Sequence, residues 1–139
     1  MTLITEKVER RVALLKEDNT ALDAAVLMSE HHIGSVIVSR ASQVTGIFTE
    51  RDLMRNVVRD RKDAATVRLS EVMRKSPVSV QANERCERCI ELMKENRCRH
   101  LLVYDQDAFV GVISLRDLLV LLLEEKEELI HELTRYVTS

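Results

Sequence analysis

The chain repeats itself. Displaced by 65 residues, Gly46 falls on Gly111, Arg51 on Arg116, Asp52 on Asp117 and Leu53 on Leu118, while Thr49 falls on Ser114, which keeps the hydroxyl. Upstream, Leu27 and Met28 fall on Leu92 and Met93, Val38 on Val103, and Ile4-Thr5-Glu6 on Leu69-Ser70-Glu71, with no gap in the register. Two copies of about 65 residues therefore account for the chain from Ile4 to about Leu133. That period is too long for a solenoid unit and points to a duplicated small αβ unit. A unit of about 60 residues is marginal alone, so two copies are expected to pack together and bury the apolar surface each leaves open.

Each copy reads β-α-β-β-α. A short apolar extended stretch comes first, Val12 to Leu15 and then Val78 to Val80 after Pro77. Apolar residues at helical spacing follow: Ala21, Ala24, Ala25 and Met28 in the first copy, with Asn19 or Thr20 as N-cap, and Cys86, Cys89, Ile90 and Met93 in the second. Two strands come next, at 35–39 and 44–48, then at 100–104 and 109–113. A second helix begins just after Thr49 or Ser114. The fold class expected is α+β, each small sheet carrying its helices on one side. The domains expected are 4–68, including the polar linker DRKDAATVR at 60–68, then 69–123, then a helical tail at 124–139. With only three glycines in the chain, the hairpins must turn on residues such as Ser42, Asp105 and Asp107.

Composition narrows the function. The chain is 45% hydrophobic and 32% charged, which is that of a folded globular protein. A net charge of −2 gives no global field for nucleic acid, and 3% aromatics leaves few stacking platforms for single strands. The first residues, MTLITEKVERR, show charges with no apolar run behind them, so no secretory leader is read. The most apolar stretch, Leu115 to Leu123, is interrupted by Arg116 and Asp117 and is far shorter than the roughly 20 residues that span a bilayer. A cytoplasmic location is expected, with the three cysteines as reduced thiols.

The repeated phrase, GIFTERD and GVISLRD, admits two readings. A Ser or Thr before a helix accepts from a first-turn N–H, and an acidic residue three positions on reaches back to the cap. Thr49 with Asp52, and Ser114 with Asp117, fit that pattern, and a glycine ahead of the strand end lets other backbone approach closely. The same geometry suits a ligand. A helix N-terminus favours a phosphate, the hydroxyl is a further donor, and a carboxylate accepts two hydrogen bonds from a vicinal diol such as ribose. The chemistry of one copy leaves both readings open.

The duplicated unit with Gly, two apolar residues, Ser or Thr, two variable residues and Asp resembles the CBS domain family. The resemblance rests on HHIGSVIV (31–38), GIFTERDLMRNVV (46–58), LSEVMRKSPVSV (69–80), RCRHLLVYD (97–105) and GVISLRDLL (111–119), and it covers nearly the whole chain as a tandem pair. It implies two repeats packed with pseudo-two-fold symmetry and two clefts between them. Each cleft is a potential site for an adenosine-containing ligand: AMP, ADP, ATP, an NAD-type dinucleotide or S-adenosylmethionine. On the matching positions, Asp52 and Asp117 would bind ribose hydroxyls and Thr49 and Ser114 phosphate. Val12, Ala13, Ser76, Pro77 and Val78 would flank adenine. Arg99 and His100 sit where related modules place phosphate-binding cations, and the first copy has Gly34 and Ser35 there. The resemblance also implies a homodimer, head-to-head or head-to-tail. No cofactor is required, and an adenine nucleotide would be the regulator. Neither hairpin has the glycine common in the family.

Other groups carry less. Cys86-Glu87-Arg88-Cys89, with Cys98 and His100 nearby, could suggest zinc or redox chemistry, but the three cysteines align with Ala21, Ala24 and Ile33, which argues for core packing. His31 and His32 are expected in a polar turn before a strand. No nucleophile–base set and no phosphate-binding P-loop occurs, so no enzyme is expected and no metal. In the tail, Leu129, Leu133, Tyr136 and Val137 form an apolar stripe beside an acidic run at Glu124, Glu125, Glu127 and Glu128; it either folds back or makes a dimer contact. Two functions follow: a sensor of an adenosine-containing nucleotide that signals to a separate effector protein, or an oligomerisation module whose clefts stay empty.

Overall fold

The structure, a computed structural model, describes residues 3–138. Among them the elements run β1 (Leu14–Lys16), α1 (Ala21–His31), β2 (Ser35–Arg40), β3 (Gln43–Thr49), α2 (Glu50–Asp52, continuing as a π-helical stretch Leu53–Val58), α3 (Leu69–Val72), β4 (Arg74–Lys75), β5 (Ser79–Gln81), α4 (Cys86–Asn96), β6 (His100–Asp105), β7 (Ala108–Ser114) and α5 (Leu115–Thr138). The β-α-β-β-α order read from the sequence is present in both copies, in a mixed α and β fold with two sheets. His31 ends α1 and is not in a turn; His32 is the left-handed C-cap, matched by Arg97 after α4.

Two compact units result, and they are not cut where the sequence repeat is cut. One is Val12–Pro77; the other joins the stretch up to Arg11 to the stretch from Val78 onward. The lead-in to each repeat therefore completes the unit built on the other.

In the Val12–Pro77 unit the sheet order is β1-β2-β3-β4, with β1 parallel to β2 and the remaining pairs antiparallel. Ala21, Ala24 and Met28 put the apolar stripe of α1 against Val36, Val38 and Phe48, and Val57, Leu69, Val72 and Met73 close the core. Residues 60–68 pack onto this unit: Val67 and Ala64 carbonyls accept from the Ala21 and Leu22 amides at 3.0 and 2.8 Å, which satisfies two of the donors a helix start leaves open.

The other unit repeats the plan with β5-β6-β7. Cys86, Cys89 and Met93 of α4 face Leu101, Val103 and Ile113, and Ile4 and Val8 of the lead-in join them. One difference is local. Thr20 caps α1 in a full capping box with Asp23, with bonds of 3.1 and 2.9 Å, and this holds the Asp23 carboxyl below its usual pKa, chiefly through the Thr20 amide. Arg85, in the equivalent place, gives α4 no side-chain cap.

Both hairpins close in two residues. Ala41 and Ser42 have φ of 51° and 64°, and Gln106 has 57°, the left-handed values that twist-matched turns demand of residues usually glycine or asparagine. Ser42 and Asp107 lie in the turns, while Asp105 ends β6.

The repeated glycines have a spatial cause. Neither has a positive φ. Each follows a β-bulge: Val38 pairs with Gly46 but Ser39 with Val44, and Val103 pairs with Gly111 but Tyr104 with Phe109. Beside Gly46 runs β4, paired through Gly46–Lys75 and Ile47–Arg74. Beside Gly111 runs the lead-in strand at Glu9, bridged to Val112 by N–H···O bonds of 2.8 and 3.1 Å. A Cβ at Gly111 would overlap the Glu9 carbonyl; one at Gly46 would stand 2.9 Å from the Arg74 carbonyl oxygen. The close backbone approach expected from the sequence is thus present in both copies, and it covers the outer edges of β3 and β7.

Candidate functional site

Thr49 ends β3 and Ser114 ends β7, and a helix starts at the next residue in each case. The extended backbone at Thr49 is that of an N-cap. Its amide donates to Asp52 Oδ2 at 2.9 Å, its hydroxyl donates to the same oxygen at 3.0 Å, and that hydroxyl accepts from the Asp52 amide at 3.3 Å. The second copy reproduces the arrangement at 2.9, 2.8 and 3.2 Å between Ser114 and Asp117. The capping expected from GIFTERD and GVISLRD is therefore made, with both arms, twice.

The next amide is also engaged. Glu50 N–H donates to the Gly34 carbonyl at 3.1 Å, and Leu115 N–H to the Arg99 carbonyl at 2.8 Å. The sequence reading did not include these carbonyls. Their signal was the register itself, since residues 34 and 99 are 65 apart. Amides at 49, 50 and 52, and at 114, 115 and 117, are thus already bonded, which leaves the helix starts less open to a phosphate than the sequence suggests.

The carboxylates keep free capacity. Every cap bond uses Oδ2, and Oδ1 of Asp52 and of Asp117 makes no hydrogen bond among the described residues. Both aspartates are half-buried. A carboxylate held by its own cap, with one oxygen spare, is a preorganised acceptor for hydroxyl groups.

Sheet topology gathers the remaining residues. β1 and β2 begin at the end of the sheet where β3 finishes: the Ala13 carbonyl accepts from Ile37 N–H at 2.8 Å, and Ser35 pairs with Thr49. Val12 and Ala13 therefore share a sheet end with Thr49 and Asp52. In the other unit the Val78 carbonyl accepts from Leu102 N–H at 3.0 Å and His100 pairs with Ser114, so Val78, Arg99, His100, Ser114 and Asp117 share one end. Arg99 is exposed and His100 half-buried. Ser76 and Pro77 belong to the Val12–Pro77 unit, following β4. Ser76 has a φ of 49°, a left-handed value disfavoured before proline.

Cys86 and Cys89 are fully buried, and desolvation pushes their thiols up to about 11 and about 12. They pack as small apolar residues, with Cys86 Sγ 3.6 Å from the Leu118 carbonyl oxygen. Among the described residues no group of His, Cys, Asp or Glu could hold a metal ion, and no helix is long and apolar enough to cross a membrane.

A family model for the CBS domain matches residues 6–59 and again 69–124. The chain belongs to the CBS domain family. It is a CBS pair, and it is similar to other CBS domain proteins. The CBS domain-containing protein YhcV of Bacillus subtilis is 31% identical over 86% of this chain and 85% of its own. The solved structure of a putative signal-transduction protein with CBS domains from Burkholderia ambifaria is 31% identical, with a TM-score of 0.80 over 85% of this chain and 91% of that one. The hexameric CBS-CP12 protein from bloom-forming cyanobacteria is 26% identical, with a TM-score of 0.80 over 99% of this chain and 86% of that one. Of another curated relative the chain spans 61% of the length.

Proposed function

We propose that this CBS pair is a regulatory module that binds an adenosine-containing nucleotide and passes the binding event to a separate effector protein by a change of conformation. The reading is carried by one observation. Both repeats use a single oxygen of the aspartate for the cap and leave Oδ1 spare at a sheet end. Asp52 and Asp117 hold the ribose hydroxyls. Val12 and Ala13 in one site, and Ser76, Pro77 and Val78 in the other, lie beside adenine. Thr49, Ser114, Arg99 and His100 take the phosphates, with the exposed Arg99 favouring the second repeat for a polyphosphate. A regulator of this kind must bind one conformation better than another, and the bound form is the one the effector engages. The module acts as a homodimer or a higher assembly in the cytoplasm. The hexameric CBS-CP12 neighbour, similar over 99% of the chain, supports self-association.

A second reading has its own support. Hydroxyls and amides at both helix starts are already satisfied internally, as in a module where the phrase serves only as a cap. Thermal melting with AMP, ADP, ATP, NAD and S-adenosylmethionine separates the two. A ligand at about 100 times its Kd stabilises by about 2.7 kcal/mol, several degrees for a domain of this size. The sensor reading expects at least one such rise. No rise with any of the five at about 1 mM leaves the structural module standing.

A further inference from the structure

Two exposed surfaces on this chain have opposite charge and matching apolar content. The first is the helix after Thr49. Met54 and Val58 are 56% and 64% exposed, Arg51 and Arg55 stand on the same short helix and Arg59 is its C-cap, all three exposed. Arg61 and Lys62 extend the basic character. Asp60 offsets Arg59 at 3.4 Å, and Arg51 and Arg55 make no ion pair among the described residues.

The second surface is the C-terminal half of α5. Leu123, Leu129, Ile130, Leu133, Tyr136 and Val137 are between 56% and 86% exposed, and at the start of this stretch Glu124 pairs with Lys7 at 2.9 Å. Spacings of three and four residues put Glu127 beside Leu123 and Ile130, on one margin of the stripe, and Glu132 beside Leu129 and Tyr136, on the other. From Glu124 to Arg135 the helix carries five glutamates against Lys126 and Arg135. Two such helices side by side would set acid against acid. A basic apolar face suits them, and the helix at 50–58 is one.

We propose that the face formed by Arg51, Met54, Arg55, Val58 and Arg59 in one copy seats the Leu123–Val137 stretch of α5 from a second copy. The apolar residues supply the contact and the arginines face the flanking glutamates. The contact joins the first repeat of one copy to the tail of the other, which makes the assembly head-to-tail. A two-fold pair makes the contact twice; otherwise the contact passes from copy to copy, into a ring where the rotation closes and a filament where it does not.

This rests on the self-association reading and is independent of nucleotide binding. Sedimentation velocity of the full chain tests it with wild type, Arg55→Glu/Arg59→Glu, Glu127→Arg/Glu132→Arg and the fourfold combination. Each reversed pair is expected to weaken association by about tenfold or more at low salt, and the combination to return it to within about threefold of wild type. Raising NaCl from about 50 to about 500 mM is expected to weaken the wild type. If the wild type associates and both reversed pairs match it, or the combination fails to recover, this surface is wrong while self-association stands. If the wild type is monomeric at about 100 µM, a level at which even a weak pair forms, self-association falls as well.

Discussion

Replacing Gly111 by alanine probes the lead-in strand at its tightest point. A Cβ there overlaps the Glu9 carbonyl oxygen and lies 3.0 Å from both the Glu9 carbonyl carbon and Val8 Cγ1. The obstacle is backbone and cannot swing away. Pushing the lead-in off breaks the two Glu9–Val112 hydrogen bonds, which together contribute about 2 kcal/mol. Full detachment also exposes Ile4 and Val8, now 0% and 8% exposed, at about 1.5–3 kcal/mol each. The cost of Gly111→Ala therefore lies between about 2 and about 8 kcal/mol, and partial relaxation places it near about 3. Gly46→Ala meets the Met73 thioether first, at 2.5 Å, which can rotate, and then the Arg74 carbonyl oxygen at 2.9 Å, which is backbone and must shift, though by less than the Glu9 carbonyl must at Gly111. Its expected cost is about 1 kcal/mol. Urea unfolding of both variants measures the difference, and amide exchange locates it: Glu9 and Val112 should lose protection in Gly111→Ala. A cost within about 0.5 kcal/mol of zero, a larger cost at Gly46, or unchanged protection at Glu9 and Val112 refutes the reasoning.

Three further outcomes follow from local features. Arg85→Thr gives α4 the cap that Thr20 gives α1, and it should raise stability by about 0.5–1 kcal/mol in chemical denaturation. Ser42→Gly relieves a φ of 64° in the first hairpin and should stabilise by about 0.5 kcal/mol, read as a small rise in melting temperature. Cys86 and Cys89, buried with thiols at about 11 and about 12, stay protonated at pH 8. A disulfide reagent there should modify no more than the half-buried Cys98 in the native protein and all three thiols in denaturant.

Much of the fold was legible because duplication doubles the signal. The apolar stripe Ala21, Ala24, Met28 and its counterpart Cys86, Cys89, Met93 named the same helix face twice, and both faces are buried. The cap at Thr49 and Ser114 was legible because it is local, three residues from hydroxyl to carboxylate. What the sequence hid is non-local. Arg74–Lys75 and Glu9 carry no apolar alternation, yet each lies along a strand because a glycine opposite admits its backbone. The exchange of lead-ins at Arg11 and Pro77 has no compositional mark, so the sequence repeat and the compact units divide the chain at different residues. The π-helical turn at Leu53–Val58 has no mark either, and its equivalent in the second copy is a regular helix. For the site, residue types showed where a hydroxyl and a carboxylate meet. They did not show that one carboxylate oxygen carries every cap bond.

That spare oxygen is the point on which the functional account turns. Asp52→Asn and Asp117→Asn keep an oxygen to accept from the cap hydroxyl and amide but replace the other oxygen by a donor, so the helix start survives while ribose loses its acceptor. Isothermal titration of the nucleotide that raises the melting temperature, against wild type, each variant and the double variant, is the most direct measurement. The account predicts that the variants melt within about 1 kcal/mol of wild type when unliganded, that each weakens binding at its own site by about tenfold or more, and that the double variant loses binding. Unchanged affinity in the double variant would contradict it.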